Sequence, residues 1–173
     1  MRMRHGWGWV ALLGLAGCAS VPVPPPAVVE TPAAPTRDLL AEVRAAAADA
    51  GDVIEVAPLR DPGVADLLQL AEQAEAAGDL ERAEQALRRA VELAPEDPDL
   101  MQQHAELLLA QRALDEAEQL AALSYERGPR LGPLCRRNWT TVRLAREERG
   151  DLGGAQTAAE RVSRCLIEPP VRM

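Results

Sequence analysis

Thiol and imidazole groups could carry nucleophilic or metal chemistry in this 173-residue chain, but both are scarce. The sequence has three cysteines, Cys18, Cys135 and Cys165, and two histidines, His5 and His104. No histidine stands at metal-ligand spacing from a cysteine or an aspartate, and no glycine-rich loop follows a strand to hold a phosphate. Acidic side chains are abundant, but they lie on predicted solvent-facing helix surfaces. We therefore predict no enzyme, with no catalytic residue, no metal, no cofactor and no small-molecule substrate.

The composition is that of a small acidic protein with few aromatic residues. The formal net charge is −8, and charged residues make up 27% of the chain. Such a chain has no basic footprint for nucleic acid, and anionic headgroups would repel it. Aromatic residues make up 2%, with no phenylalanine, so leucine and alanine must form the core.

The N-terminus has the pattern of an export signal that ends in a cysteine. A basic start precedes an apolar stretch from Trp7 to Leu15, which is too short to span a bilayer. Leu15-Ala16-Gly17-Cys18 resembles the lipobox of bacterial lipoproteins. The resemblance implies that residues 1–17 are a signal peptide, that Cys18 is the lipidated first residue of the mature chain, and that Ala19 directs it to the outer membrane. A soluble secreted protein with a chance cysteine is the alternative.

Two segments separate the cysteine from the rest of the chain. Residues 18–35 contain six prolines and predict a disordered linker that favours polyproline II, with a reach of roughly 50 Å. Residues 36–61 predict a helix with Leu39 and Val43 on one stripe, followed by an extended connector. That helix is short and rich in alanine, so it is marginally stable alone. The pattern does not determine whether residues 36–61 pack on the rest of the chain.

From residue 62 onward the pattern is that of repeated helical hairpins. Asp61-Pro62 and Asp97-Pro98 each supply a capping carboxylate followed by a proline in the first helical turn. Gly78-Asp79 ends one helix and caps the next. Pairs of helices recurring at a period of about 34 residues are typical of a helical solenoid.

The hairpins resemble tetratricopeptide repeats. In the first hairpin, the family's small, turn, small, large, small and proline positions are occupied in that order by Ala71, Gly78, Ala83, Leu87, Ala90 and Pro95. Leu67 stands in place of the usual tryptophan. The second keeps Ala105, Ala117, Ser124 and Pro129. The third keeps Trp139, Gly150-Asp151 and Ala155. The resemblance implies an all-α solenoid of about three repeats over residues 62–167, followed by a tail, 168–173.

Two positions depart from the family pattern. Arg112-Ala113 stands where the second hairpin should have glycine and aspartate, and Arg143 stands where the third should have a small residue for helix contact. A terminal repeat without a successor tolerates such a departure.

The repeat assignment also brings two of the cysteines together. Cys135 opens the first helix of the last repeat and Cys165 closes the second, and their numbers are symmetric about the turn at Gly150. In antiparallel helices they lie at the same level, and the periplasm implied by the lipobox is oxidising. We therefore expect a Cys135–Cys165 disulfide, with two buried free thiols as the alternative.

Repeats of this family bind peptides or protein surfaces on a concave face lined by their first helices. The expected partner-binding residues on that face are Leu68, Gln69, Glu72, Gln102, Gln103, Glu106, Leu109, Thr140 and Thr141. Acids and glutamines stand where some members carry a basic clamp for a C-terminal carboxylate, so we expect the first two repeats to prefer neutral or basic segments.

The architecture of the chain, a lipid anchor followed by a proline-rich linker and a small repeat domain, resembles that of the lipoprotein activators of bifunctional peptidoglycan synthases. The resemblance implies a non-enzymatic lipoprotein that is anchored in the outer membrane, faces the periplasm and binds a protein or peptide partner of the cell envelope. Two alternatives remain, an assembly lipoprotein for a pilus or secretion apparatus and a purely structural envelope component.

Replacement of the N-terminal cysteine tests the lipid anchor. We expect Cys18→Ser to abolish incorporation of a palmitate analogue in growing cells and to leave the precursor uncleaved, because the thiol is the acceptor. Undiminished label on the Cys18→Ser protein contradicts the anchor, and Cys135→Ser serves as the control that should keep the label.

Overall fold

A computed structural model of the chain describes residues 37–48 and 59–166, all within the unit Thr36–Met173. The described residues form seven α-helices and no strand, which confirms the all-α prediction. They are α1 (Leu39–Ala48), α2 (Pro62–Ala76), α3 (Leu80–Leu93), α4 (Pro98–Ala110), α5 (Leu114–Arg127), α6 (Pro133–Glu148) and α7 (Leu152–Arg164). The predicted signal peptide, Cys18, the proline-rich linker, most of the connector and the C-terminal tail lie outside the described residues. None of the described helices is long and apolar enough to cross a bilayer.

Three antiparallel hairpins stack in chain order. Helices α2 and α3, α4 and α5, and α6 and α7 pair within hairpins, while α3 packs on α4 and α5 on α6 to join one hairpin to the next. The first helices α4 and α6 also contact each other. This is the predicted tetratricopeptide solenoid of about three repeats.

Aspartates begin the helices at the positions predicted from the sequence. The side chain of Asp61 accepts a hydrogen bond from the Gly63 amide at 2.8 Å, and that of Asp97 accepts from the Asp99 amide at 3.0 Å. Asp79 and Asp151 cap α3 and α7 in the same way. These bonds satisfy amides that would otherwise have no partner in the first helical turn.

The turn within the second hairpin differs from the other two. Gly78 and Gly150 adopt φ values of 77° and 80°, in the left-handed region that glycine enters without steric cost. Arg112 occupies the same place with φ 66°, and helix α5 begins without a side-chain cap. The departure noted at Arg112-Ala113 is therefore a strained turn within an unchanged hairpin.

The core is built from alanine and leucine, as the composition predicts. Ala83, Ala90, Ala105 and Ala117 have no exposure to solvent, which lets neighbouring helices approach closely. Leu87, Leu100, Leu107 and Leu144 fill the remaining space.

A disulfide closes the last hairpin. Cys135, near the start of α6, is bonded to Cys165, which follows α7, and their Cα atoms are 5.6 Å apart. The Gly132 amide donates to the Cys165 carbonyl at 2.7 Å beside the bond. The structure thus contains the pair that the repeat assignment implied.

Helix α1 packs on the solenoid instead of standing apart from it. It contacts α4 and α6, and no helix among the described residues pairs with it as a hairpin partner. Farther along the chain, Arg60 forms ion pairs with Asp97 at 3.0 Å and Asp99 at 2.8 Å, so the end of the connector is also held against α4.

Removal of the disulfide should lower stability markedly. A bond between residues 30 apart contributes about 3–4 kcal/mol in the chain-entropy model, which corresponds to a fall in Tm of more than about 10 °C for a domain of this size. We expect this fall for Cys135→Ala/Cys165→Ala by thermal circular dichroism. Reductant should lower the Tm of the wild type similarly and leave the double variant unchanged. Equal Tm values for wild type and variant contradict the prediction.

Candidate functional site

The concave face formed by α4 and α6 is covered by α1. Leu39 and Val43, one turn apart on α1, are buried against a cluster that includes Leu109, Leu144 and Ala145. Leu40 packs at the edge of the cluster between the first and second hairpins. Helix α1 of the chain itself therefore fills part of the surface on which a bound peptide was expected.

This arrangement corrects the prediction of an open binding face. Five of the nine expected partner-binding residues are buried, namely Gln102, Glu106, Leu109, Thr140 and Thr141. Two causes act together, since α1 covers the centre of the face, and α4 and α6 approach closely enough for Gln102 to donate to Thr141 Oγ1 at 2.8 Å. Gln69 and Glu72 are exposed, whereas Leu68 and Gln103 are half-buried.

A first ion network fastens α1 to α6. The carboxylate of Glu42 accepts from Arg37 at 2.7 and 2.8 Å and from Arg143 at 2.8 Å. Arg37 and Arg143 also donate to Glu147, at 2.8 and 2.6 Å. Glu42 and Glu147 are thus bridged by the same two guanidinium groups.

The network changes the acidity of both carboxyl groups. Hydrogen bonds from Arg37 and Arg143, with their charges, hold the pKa of Glu42 below its ordinary value of 4.5. Burial alone would raise the pKa of Glu147, but the hydrogen bonds from the same arginines outweigh it and lower that pKa too.

Arg143 explains the second departure from the repeat pattern. The sequence places this large residue where the third repeat should have a small one, and the structure uses it to bind Glu42 of α1. A helix of a further repeat would pack at the usual small residue, whereas here the side chain points to α1. The unexpected arginine was the signal in the sequence that something else occupies the concave face.

A second network is centred on a carboxylate without solvent exposure. Glu106 of α4 accepts from Arg137 of α6 at 2.6 Å, from Gln102 at 3.0 Å and from Arg44 of α1 at 3.3 Å. Arg44 also reaches Glu75 of α2 at 2.8 Å. Oε1 of Gln102 is buried with no hydrogen-bond partner among the described residues. Arg44 and Glu106 together thus connect α1 to all three first helices.

Part of the concave face stays open beside the second half of α1. A cavity of about 360 Å³ lies there between α1 and the first helices, lined by Arg44, Ala47, Glu72, Glu75, Gln103 and Arg137. Its polar lining suits a peptide or protein surface with charged and amide groups.

An aromatic and arginine cluster on the last two hairpins was not predicted. The rings of Tyr125 and Trp139 meet edge to face at 5.0 Å. Arg130 lies 4.3 Å from the centre of the Tyr125 ring, and Arg161 lies 5.2 Å from that of Trp139. The cluster joins α5, α6 and α7 through cation–π contacts, which spacing along the chain does not reveal.

His104, the histidine within the repeats, has a structural partner. Its Nε2 lies 2.7 Å from Glu84 Oε1 and links α4 to α3. Among residues 37–48 and 59–166, no group of histidine, cysteine and acidic side chains is arranged to hold a metal ion.

Comparison with known proteins supports the repeat assignment. The tetratricopeptide-repeat family profile matches residues 64–107. The structure is similar to that of the globular C-terminal domain of P. aeruginosa LpoP, with 31% sequence identity and a TM-score of 0.56, over 61% of this chain and 99% of that domain. No curated protein matches the sequence significantly.

The attachment of α1 should make stability depend on pH. Because Glu42 and Glu147 have lowered pKa values in the folded state, their stabilising effect is complete above the ordinary pKa of 4.5 and is lost as the pH falls below it. We measure the free energy of unfolding by urea denaturation at pH 6 and at pH 3. It should fall less over this range for Glu42→Gln/Glu147→Gln than for the wild type. Glu72→Gln/Glu81→Gln, which removes two exposed carboxylates without ion pairs in the described part of the chain, should keep the wild-type slope. Parallel slopes for all three proteins contradict the prediction.

Proposed function

Because the chain belongs to the tetratricopeptide-repeat family, we propose that it is a non-enzymatic lipoprotein of the cell envelope whose repeat domain binds a protein partner. The partner we propose is a peptidoglycan synthase, for which the chain acts as scaffold or activator. The likeness to the globular C-terminal domain of P. aeruginosa LpoP carries this proposal, since it extends over nearly that whole domain.

The N-terminal sequence supports an envelope location. Cys18 ends a lipobox-like segment, and acylation there would anchor the mature chain in the outer membrane. The proline-rich linker at residues 18–35 would carry the domain roughly 50 Å into the periplasm. The Cys135–Cys165 disulfide suits this location, because such bonds persist in the oxidising periplasm.

The accessible part of the concave face is the surface that we propose for the partner. Glu72 of α2 is exposed and lines the open cavity with Gln103 of α4. On the same helix as Glu72, Gln69 is exposed and Leu68 is half-buried. Glu72 and Glu75 line the cavity together with Arg44 and Arg137, and Glu75 is paired with Arg44. The exposed carboxylate of Glu72 would complement a partner segment with neutral or basic side chains.

Reconstitution with purified synthases tests this function. We expect the chain to raise the rate of glycan polymerisation or crosslinking by at least one bifunctional peptidoglycan synthase of the same bacterium. Gln69→Arg/Glu72→Arg should abolish this stimulation, because it reverses the charge of the contact surface.

The control variant carries the same two substitutions on another helix of the same hairpin. Glu81→Arg/Gln85→Arg changes exposed residues of α3 and should stimulate as the wild type does. If no bifunctional synthase responds to the wild-type chain, the activator role is wrong. If both variants lose stimulation equally, the proposed contact surface is wrong.

A further inference from the structure

The floor of the groove beneath α1 has a polar part beside the apolar cluster of Leu109 and Leu144. Gln102, Glu106 and Thr141 have no solvent exposure, and Oε1 of Gln102 has no partner among the described residues. Buried polar and ionic groups stabilise a fold less than apolar side chains of similar volume, and an unpaired one is destabilising. When α1 leaves the groove these groups become hydrated, which offsets part of the free energy lost with its apolar contacts.

The helix that covers this floor is weakly held. α1 has ten residues, which is too short for a stable helix on its own. Its buried apolar side chains are those of Leu39 and Val43. Two of the arginines that attach it, Arg37 and Arg44, are 40% and 46% exposed, so their ion pairs contribute little each. Arg143 and Arg136 of α6 add part-buried hydrogen bonds, to the carboxylate of Glu42 and to the Ala46 carbonyl.

The contacts of α1 define what the groove recognises. Leu39 and Val43, four residues apart, enter the apolar cluster around Leu109 and Leu144. Glu42 meets Arg143, and Arg44 meets the carboxylates of Glu75 and Glu106. A ligand of this groove is therefore an amphipathic helix with aliphatic residues at i and i+4, a carboxylate at i+3 and an arginine at i+5.

We propose that the concave face of α4 and α6 is a docking site for a partner's helix of this pattern, and that α1 occupies the site in cis until that helix replaces it. This proposal rests on the proposed function in one respect, namely that the replacing helix comes from a protein partner. The ability of the groove to exchange α1 for another helix is tested without any partner.

Peptide binding to the full-length chain tests the exchange. The probe is a fluorescein-labelled peptide of residues 37–48, and the readout is fluorescence anisotropy. Leu39→Asp/Val43→Asp releases α1 and leaves the groove unchanged, so this variant should bind the peptide at least tenfold more tightly than the wild type, in which tethered α1 competes at high effective concentration.

The control variant places the same two charges, at the same spacing, on the exposed face of α1. Ala41→Asp/Ala45→Asp should bind the peptide as weakly as the wild type does. A peptide that itself carries Leu39→Asp and Val43→Asp should not bind any of the chains. Equal affinity of both variants for the probe, or equal binding of both peptides, overturns the proposal.

Charge reversal tests whether the groove recognises the charged side chains of the helix. In the Leu39→Asp/Val43→Asp chain, Arg143→Glu should weaken binding of the probe at least fivefold, because Glu42 of the peptide loses its partner. A peptide with Glu42→Arg should recover most of this loss. Failure of the paired reversal to restore binding contradicts the assigned orientation of the helix.

Hydrogen exchange of the wild-type chain supplies a measurement that does not depend on any variant. We expect the amides of α1 to exchange at least tenfold faster than those of α4 and α6, because α1 opens without the solenoid. Exchange of α1 at the same rate as α4 and α6 means that α1 opens only on global unfolding, and this overturns the proposal. A wild-type dimer in size-exclusion chromatography would assign the groove to a second copy of the chain and overturn the assignment to a different partner.

Discussion

The carboxylate of Glu106 has no exposure to water, and its burial constrains the elements around it. A buried charge is tolerated only when it is paired and hydrogen-bonded. Arg137 of α6, Gln102 of α4 and Arg44 of α1 meet this requirement from three helices. Arg137 and Gln102 compensate the charge from within the solenoid, so the third repeat must hold a fixed position relative to the second. Arg44 of α1 adds a longer and more exposed contact at 3.3 Å. Loss of Arg137 would leave part of a charge uncompensated in the middle of the domain.

The small size of the domain makes such constraints important. A solenoid of three hairpins with a core of alanine and leucine buries little apolar surface, because each hairpin contacts only its neighbours. Two features add stability at the third repeat. The disulfide between Cys135 and Cys165 closes the last hairpin, and α1 packs against α6. The acidic chain also neutralises much of its charge through arginines that join separate helices, as Arg143 and Arg44 do.

Local signals in the sequence were sufficient to predict the hairpins. Asp61, Asp97 and Asp151 cap helices because an aspartate followed by helix-forming residues satisfies free amides within two or three residues of itself. The alanines and glycines of the repeat occur at a fixed period, which made their close packing predictable as well. The same regularity placed Cys135 and Cys165 at one level.

The position of α1 was not predictable in this way. Its partners are distant in the chain, with Glu42 and Arg143 separated by 101 residues, and its apolar face is too narrow to indicate a docking site. Five of the nine residues expected to bind a partner are therefore buried, and a binding role for the other four stays a prediction. Arg143 was the visible signal, since a large cation at a position reserved for small residues requires a local reason.

The packing of α1 on the concave face of the domain is tested most directly by nuclear magnetic resonance of the full-length chain. With methyl-labelled protein, we expect nuclear Overhauser effects between the methyl groups of Val43 and those of Leu109 and Leu144, together with helical chemical shifts over residues 39–48. Random-coil shifts for that segment, with no contact from Val43 to either leucine, would contradict it.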